Sequence, residues 1–219
     1  MAASDNTVFL FDCDNTLLDN DAVQNDLRAH LASEFGPAAR DRYWAILEDL
    51  RAELGYVDYL GALQRYRLDD MCDARLLSMS SFLIDYPFAG RLYPGALDAV
   101  RHAKAAGSAV ILSDGDVVFQ PRKIARSGLW AAVDGRVLIY IHKEAMLEAV
   151  AAAFPARRYV MIDDKLRILA AMKKVWGDRL TTVFPRQGHY AFDAAALAAY
   201  PPADITIERI GDLVAIDWG

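Results

Sequence analysis

The stretch VFLFDCDNT, residues 8–16, decides the fold class. Its first four residues are apolar, and acidic residues follow directly at Asp12 and Asp14. A short apolar run with polar ends is typical of a strand that is buried on both faces of a parallel sheet. Because ligands of open α/β sheets bind at the carboxyl ends of the strands, the two acids are predicted to lie at the entrance of a site.

Similar apolar runs recur along the chain and alternate with helical patterns. The runs cover residues 109–112, 137–141, 159–162 and 181–184, with a weaker sixth candidate at 205–207. The helical stretches cover residues 94–106, 121–128, 144–153 and 166–175. Alternating strands and helices predict an α/β fold, an open parallel Rossmann-like sheet with right-handed crossovers.

One part of the chain interrupts this alternation. Residues 21–35, 38–54, 57–66 and 74–84 all have helical spacing of apolar residues, and no strand pattern lies between them. The sequence therefore predicts an inserted α-helical cap domain at 19–88. The α/β core domain would consist of residues 1–18 and 89–219.

Composition excludes several classes of protein. The chain has 219 residues, of which 54% are hydrophobic, and this suits one large domain or one domain with an insert. A net charge of −6 without a basic cluster argues against nucleic-acid binding. Two cysteines, no signal-peptide pattern and no apolar run of about 18 residues predict a cytoplasmic protein without a membrane span. The oligomeric state is left open.

Four carboxylates follow two of the predicted strands. Asp12 and Asp14 come after the first strand and, in extended backbone, point to the same side. Asp163 and Asp164 come after the fourth strand. Like charges this close repel unless a cation or a shared proton lies between them. The set predicts a site for Mg²⁺, which prefers oxygen ligands.

Two further strand ends carry groups that suit phosphoryl oxygens, the hydroxyl of Ser113 and the ammonium of Lys143. A carboxylate nucleophile and a second acid are the two groups that catalysis through a covalent aspartyl-phosphate intermediate requires. A single Asp after a strand is usually a helix cap or turn residue, which is our interpretation of Asp114 and Asp116. A cap or turn role does not explain why four successive strand ends carry, in order, two acids, a serine, a lysine and two acids. Cys13, between two acids, is predicted to be a packing residue.

The chain resembles the haloacid dehalogenase-like (HAD) superfamily at these residues. The segment 12–16 resembles its first motif, Asp-x-Asp-x-Thr, and Ser113 and Lys143 resemble its second and third. Asp163 and Asp164 resemble its acidic fourth motif, although Ile162 stands where many members have glycine. The helical insert resembles the cap that many members place after the first strand.

The resemblance implies a role for each residue. Asp12 would be the nucleophile and Asp14 the general acid/base. Mg²⁺ would be held by Asp12, by the backbone carbonyl of Asp14, and by Asp163 or Asp164. Ser113 and Lys143 would bind the transferring phosphoryl group.

The resemblance leaves three functions to compare. We expect a Mg²⁺-dependent phosphatase that acts on a small-molecule phosphomonoester. Dehalogenases that resemble this fold lack an acid at the position of Asp14, because a departing halide needs no proton, whereas an alkoxide does. The alternatives are a 2-haloacid dehalogenase and a non-catalytic binding protein on the same fold.

Overall fold

The core of the molecule is an open parallel β-sheet. The computed structural model describes residues 6–68 and 71–218, and within these ranges the sheet has six strands in the order β3-β2-β1-β4-β5-β6. The strands are β1 Thr7–Phe11, β2 Ser108–Asp114, β3 Val137–Tyr140, β4 Arg158–Ile162, β5 Leu180–Pro185 and β6 Ile205–Ile207. This topology confirms the predicted fold class, including the weaker sixth strand.

Ten α-helices connect or flank the strands in the described part of the chain. They are α1 Asn20–Phe35, α2 Pro37–Leu54, α3 Tyr59–Arg67, α4 Arg75–Asp85, α5 Ala96–Ala106, α6 Phe119–Arg126, α7 Leu129–Ala132, α8 Leu147–Ala153, α9 Leu166–Trp176 and α10 Ala194–Ala199. Helix α6 begins two residues before the predicted start at Pro121. The reason is that Asp116 Oδ1 accepts the backbone N–H groups of Val118 and Phe119, which starts the helix early.

The alternation of side chains along β1 builds a hydrophobic core on each face of the sheet. Phe9 and Phe11 belong to one buried cluster, and Val8 and Leu10 belong to the other. Successive side chains of a strand point to opposite faces, so a central parallel strand must be apolar at every position. This is the physical reason for the unbroken apolar run before Asp12.

Helices α1 to α4 lie between β1 and β2 in sequence, where the sequence predicted a helical insert. Asp19 starts α1 by accepting the backbone N–H of Ala22 at 2.8 Å. The C-terminal end of α4 contacts α6 of the core, where Arg126 Nη2 donates to the carbonyl of Asp85 at 2.7 Å. That residues 19–88 act as a separate cap domain stays a prediction.

None of the helices described in residues 6–68 and 71–218 combines the length and the apolar run that a bilayer crossing requires.

Candidate active site

A cavity of about 350 Å³ opens at the carboxyl ends of the central strands. The core lines it with Asp14, Gln120 and Lys165, and the insert lines it with Arg51 and Tyr56. All six predicted site residues lie in the described part of the chain. Asp14 lines this cavity, and the other five are buried: Asp12, Ser113, Lys143, Asp163 and Asp164.

A buried polar cluster is centred on Lys143, whose side chain is 1% exposed. Its Nζ lies 2.5 Å from Asp12 Oδ1 and 2.7 Å from Asp163 Oδ2, and it donates to the carbonyl of Leu112 at 3.2 Å. Lys143 therefore connects the ends of β1, β2 and β4. An ammonium that is buried this completely needs such partners, because an isolated buried charge is strongly disfavoured.

The carboxylates of this cluster leave oxygen atoms without hydrogen-bond donors. Among the described residues, Asp12 Oδ2 and both carboxylate oxygens of Asp164 are buried and accept no hydrogen bond. Ligand oxygens of Asp12, Asp163 and Asp164 all lie within 4.8 Å of one another. The hydroxyl of Thr16 accepts the backbone N–H of Asp164 at 3.0 Å, which fixes this loop against the first motif. Buried, unpaired and close carboxylate oxygens fit a hard divalent cation such as Mg²⁺.

Burial and charge shift the pKa values of this cluster. Burial raises the pKa of Asp163 to about 6 despite the nearby Lys143, and burial raises the pKa of Asp164 well above its ordinary value. For Lys143, burial opposes the charged form, but the carboxylates of Asp12 and Asp163 raise its pKa above the ordinary value. Three acids around one ammonium therefore form a site that favours an added cation.

The side chain of Asp14 belongs to a different cluster from that of Asp12. Asp14 Oδ1 and Oδ2 lie 2.7 and 2.9 Å from the Nζ of Lys123. Gln120 Nε2 donates to Asp14 Oδ2 at 3.3 Å and to Ser113 Oγ at 2.9 Å. The structure thus separates two carboxylates that stand two residues apart in sequence, each with its own buried lysine. The metal-ligand role that the resemblance gave to the backbone carbonyl of Asp14 stays a prediction.

A comparison with protein families identifies the family of this chain. The family model described as haloacid dehalogenase-like hydrolase matches residues 7–175. The chain belongs to the haloacid dehalogenase-like hydrolase family. Among curated proteins, no match was found.

Solved structures of HAD-like hydrolases share this fold. A haloacid dehalogenase-like hydrolase of Burkholderia xenovorans LB400 is 72% identical, with a TM-score of 0.92 over 97% of this chain and 96% of that one. An L-2-haloacid dehalogenase of Xanthobacter autotrophicus is 18% identical, with a TM-score of 0.61 over 96% of this chain and 97% of that one. A magnesium-bound HAD hydrolase of Bacillus subtilis is 17% identical, with a TM-score of 0.63 over 96% and 99%. The last two show likeness of fold alone.

Within this HAD-like site, the predicted phosphate-binding residues belong to different clusters: Lys143 contacts Asp12, and Ser113 is connected to Asp14 through Gln120. Lys143 acts in this structure as counter-ion to Asp12 and Asp163. Ser113 Oγ, 1% exposed, accepts from Gln120 and lies 3.4 Å from the carbonyl of Asp114. Contact of either residue with a phosphoryl group stays a prediction.

Several residues of the HAD-like site were not predicted from the sequence. Gln120 and Lys123 lie one helical turn apart on α6, and Asn20 begins α1. Lys165 follows the fourth motif, and its Nζ lies 4.9 Å from the ring centroid of Tyr190. The spacing of Gln120 and Lys123 directly after the Ser113 loop was the available signal, because residues three apart share a helix face.

Two neighbouring acids and one thiol have structural roles. Asp114 Oδ1 accepts the backbone N–H of Lys143 at 2.7 Å and so orders the loop that carries the third HAD motif. Asp116 orders the turn before α6 by accepting the backbone N–H groups of Val118 and Phe119. Cys13 is fully buried, and burial followed by the charge of Asp14 raises the pKa of its thiol well above the ordinary value. A protonated, buried thiol is a packing residue, as predicted.

The insert reaches the cavity through the end of α2. Arg51 hydrogen-bonds the hydroxyl of Tyr190, which lies on the loop after β5. On the same loop, His189 Nδ1 lies 2.7 Å from Asp21 Oδ1 of α1. Two contacts between the insert and the core therefore border the cavity of this HAD-like hydrolase.

Proposed function

We propose that this chain is a Mg²⁺-dependent phosphatase that hydrolyses a small-molecule phosphomonoester through an aspartyl-phosphate on Asp12. The observation that carries the proposal is the separation of Asp12 from Asp14. Asp12 has a buried oxygen without a donor, Oδ2, whereas Asp14 lines the cavity beside Gln120 and Lys123. A nucleophile and a separate acid/base are the two groups that ester hydrolysis by this route requires.

In the first step, a carboxylate oxygen of Asp12 attacks phosphorus, and the bond between phosphorus and the ester oxygen breaks. Asp14 gives its proton to the departing alkoxide, which leaves as an alcohol. Gln120 Nε2 hydrogen-bonds both Ser113 Oγ and Asp14 Oδ2, and in this proposal the hydroxyl of Ser113 donates to a phosphoryl oxygen.

In the second step, Asp14 is the base. It takes a proton from a water molecule whose oxygen attacks phosphorus, and the bond from phosphorus to the Asp12 oxygen breaks. Inorganic phosphate leaves, Asp12 is again a carboxylate, and Asp14 is again protonated. Lys143, already paired with Asp12, would compensate the charge that returns to that carboxylate.

Asp12, Asp163 and Asp164 would hold Mg²⁺, which when bound supplies positive charge to the phosphoryl oxygens. Nucleophilic attack and proton transfer are carried out by the side chains of Asp12 and Asp14. We expect the enzyme to act in the cytoplasm, with a small-molecule phosphate ester as its partner and with neither nucleic acid nor a membrane.

The test is turnover of p-nitrophenyl phosphate and of a panel of phosphometabolites, with 2-chloropropionate as the dehalogenase substrate. We expect phosphate release that EDTA abolishes and Mg²⁺ restores, and no chloride release. Asp12→Asn should form no phosphoenzyme. Asp14→Asn should accumulate a phosphoryl adduct on Asp12 in rapid-quench mass spectrometry, because it lacks the base for the second step. Chloride release, or full phosphatase activity after exhaustive chelation, would contradict the proposal.

A further inference from the structure

Lys123 is a buried cation at the boundary between the core and the insert. It lies on α6, its side chain is 1% exposed, and its Nζ lies 2.7 and 2.9 Å from the two oxygens of Asp14. The same Nζ donates to Asn20 Oδ1, on the first residue of α1, at 3.0 Å. None of the four HAD-like motifs contains this lysine.

The contacts of Lys123 leave no hydrogen for a substrate. An ammonium has three N–H donors and no acceptor. The two oxygens of Asp14 and the amide oxygen of Asn20 take all three. Lys123 therefore does not serve as a phosphate-binding residue in this arrangement, and its partner in the site is Asp14.

The neighbours of the Asp14 carboxyl group are hydrogen-bond donors. Lys123 donates to both oxygens, and Gln120 Nε2 donates to Oδ2 at 3.3 Å. When Asp14 carries a proton, neither the ammonium nor the amide N–H₂ can accept it. The side chain of Asp14 is 26% exposed and lines the cavity, so an O–H on this carboxyl group can point into the cavity.

We propose that Lys123 is a positioning residue that acts through Asp14. Because the ammonium of Lys123 donates hydrogen bonds and accepts none, it fixes the carboxyl group of Asp14 beside the cavity. It thereby directs the proton of Asp14 toward the leaving group of the substrate. This inference rests on the phosphatase function proposed above, because it gives Asp14 the part of general acid.

Three substitutions separate this role from simple packing. Lys123→Arg keeps a cation that only donates. Lys123→Gln introduces an amide oxygen that can accept the proton of Asp14 and turn it away from the cavity. Lys123→Met keeps an unbranched chain and removes the donors. Lys104→Met is the matched control, since Lys104 also pairs with a carboxylate, that of Asp134 at 2.8 Å, but does not line the cavity.

The readout is the ratio of kcat/KM for phenyl phosphate to that for p-nitrophenyl phosphate, two esters of similar shape. Phenolate is the poorer leaving group and needs the proton of Asp14 more. General acid catalysis is worth ~10²–10⁴-fold, so we expect Lys123→Gln and Lys123→Met to lower this ratio at least ~10-fold. Lys123→Arg and Lys104→Met should leave the ratio within about twofold of wild type.

A double substitution covers the case in which Lys123→Met does not fold. The double variant that carries both Asp14→Asn and Lys123→Met lacks both partners of the ion pair, so it buries no uncompensated charge. If Lys123 acts through Asp14, the double variant has the same kcat/KM values as Asp14→Asn alone. A further loss in the double variant, or an equal loss on both esters in Lys123→Gln, would overturn the inference. Absence of phosphatase activity in the wild type would instead refute the proposed function.

Discussion

Asp164→Asn should stabilise the protein in the absence of Mg²⁺, which is unusual for a substitution of a buried charged residue. Asp164 is 0% exposed, and neither of its carboxylate oxygens accepts a hydrogen bond from the described residues. Asparagine has nearly the same shape without the charge, and its amide would lie within the 4.8 Å cluster of oxygens from Asp12 and Asp163. Leaving a buried polar group unsatisfied costs about 1–3 kcal/mol, and more for a charged group. We expect a gain of about 2 kcal/mol at pH 7.

The same substitution at Asp14 should have the opposite sign. Asp14→Asn leaves the ammonium of Lys123, 1% exposed, without its charged partner. Breaking a buried ion pair from one side costs about 3–5 kcal/mol. The amide oxygen of asparagine still accepts one hydrogen bond, and Asp14 itself is 26% exposed, so we expect a loss of about 2 kcal/mol.

Thermal unfolding followed by circular dichroism measures both effects. For a chain of this length, 1 kcal/mol corresponds to about 2–4 °C in Tm, so in EDTA the Tm of Asp164→Asn should rise by about 4–8 °C and that of Asp14→Asn should fall by as much. Added Mg²⁺ at 100 times its Kd should stabilise the wild type by about 2.7 kcal/mol and Asp164→Asn by less. Two variants that are equally destabilised in EDTA, or an equal response of Asp164→Asn to Mg²⁺, would refute this reasoning.

Two further substitutions test the scaffold around the site. Burial raises the pKa of Asp204, but hydrogen bonds from Lys173 and from β5 outweigh burial and hold this pKa below its ordinary value. The carboxylate of Asp204 therefore stabilises the fold above pH ~4, and this stabilisation is lost as the pH falls through the lowered pKa. Since Asp204 is 40% exposed, Asp204→Asn should cost only about 1 kcal/mol at pH 7, and urea unfolding at pH 3 should show a smaller difference. Gly188→Ala places a Cβ 2.5 Å from Asn15 Cβ at a φ of +72°, so chemical denaturation should show a larger loss than for Gly128→Ala, where φ is +88° and no atom lies within 4 Å. Equal losses in the two glycine variants would show that the contact with Asn15 costs nothing.

The fold was predictable because a central strand of a doubly covered parallel sheet is apolar along its buried length. The run at residues 8–11 met that requirement, and β1 pairs with β2 on one side and β4 on the other. Helix starts were less predictable, since they depend on single hydrogen bonds. Asp116 was expected to be a turn or cap residue, and it lies in the turn before α6, but the helix begins at Phe119 and not at Pro121.

The candidate site was predictable at the strand ends and not beyond them. Asp12 and Asp163 directly follow strands, Ser113 is the last residue but one of β2, and the parallel sheet brings these strand ends together. Lys123 lies on a helix, 109 residues from its partner Asp14. Nothing in a single sequence distinguishes a buried lysine from a solvated one, because burial depends on a partner that only the tertiary structure supplies.

The pairing of each carboxylate with its own lysine resolves a difficulty in the first motif. Two acids at positions 12 and 14 would repel each other if both faced one metal site. In the structure, Lys143 pairs with Asp12 from the end of β3, and Lys123 pairs with Asp14 from α6. Asp12 therefore stays with Asp163 and Asp164, where three carboxylates around Lys143 leave negative charge in excess for a divalent cation. Because Lys123 compensates the charge of Asp14 separately, Asp14 does not need that cation, and on the proposed mechanism it is the group that transfers protons.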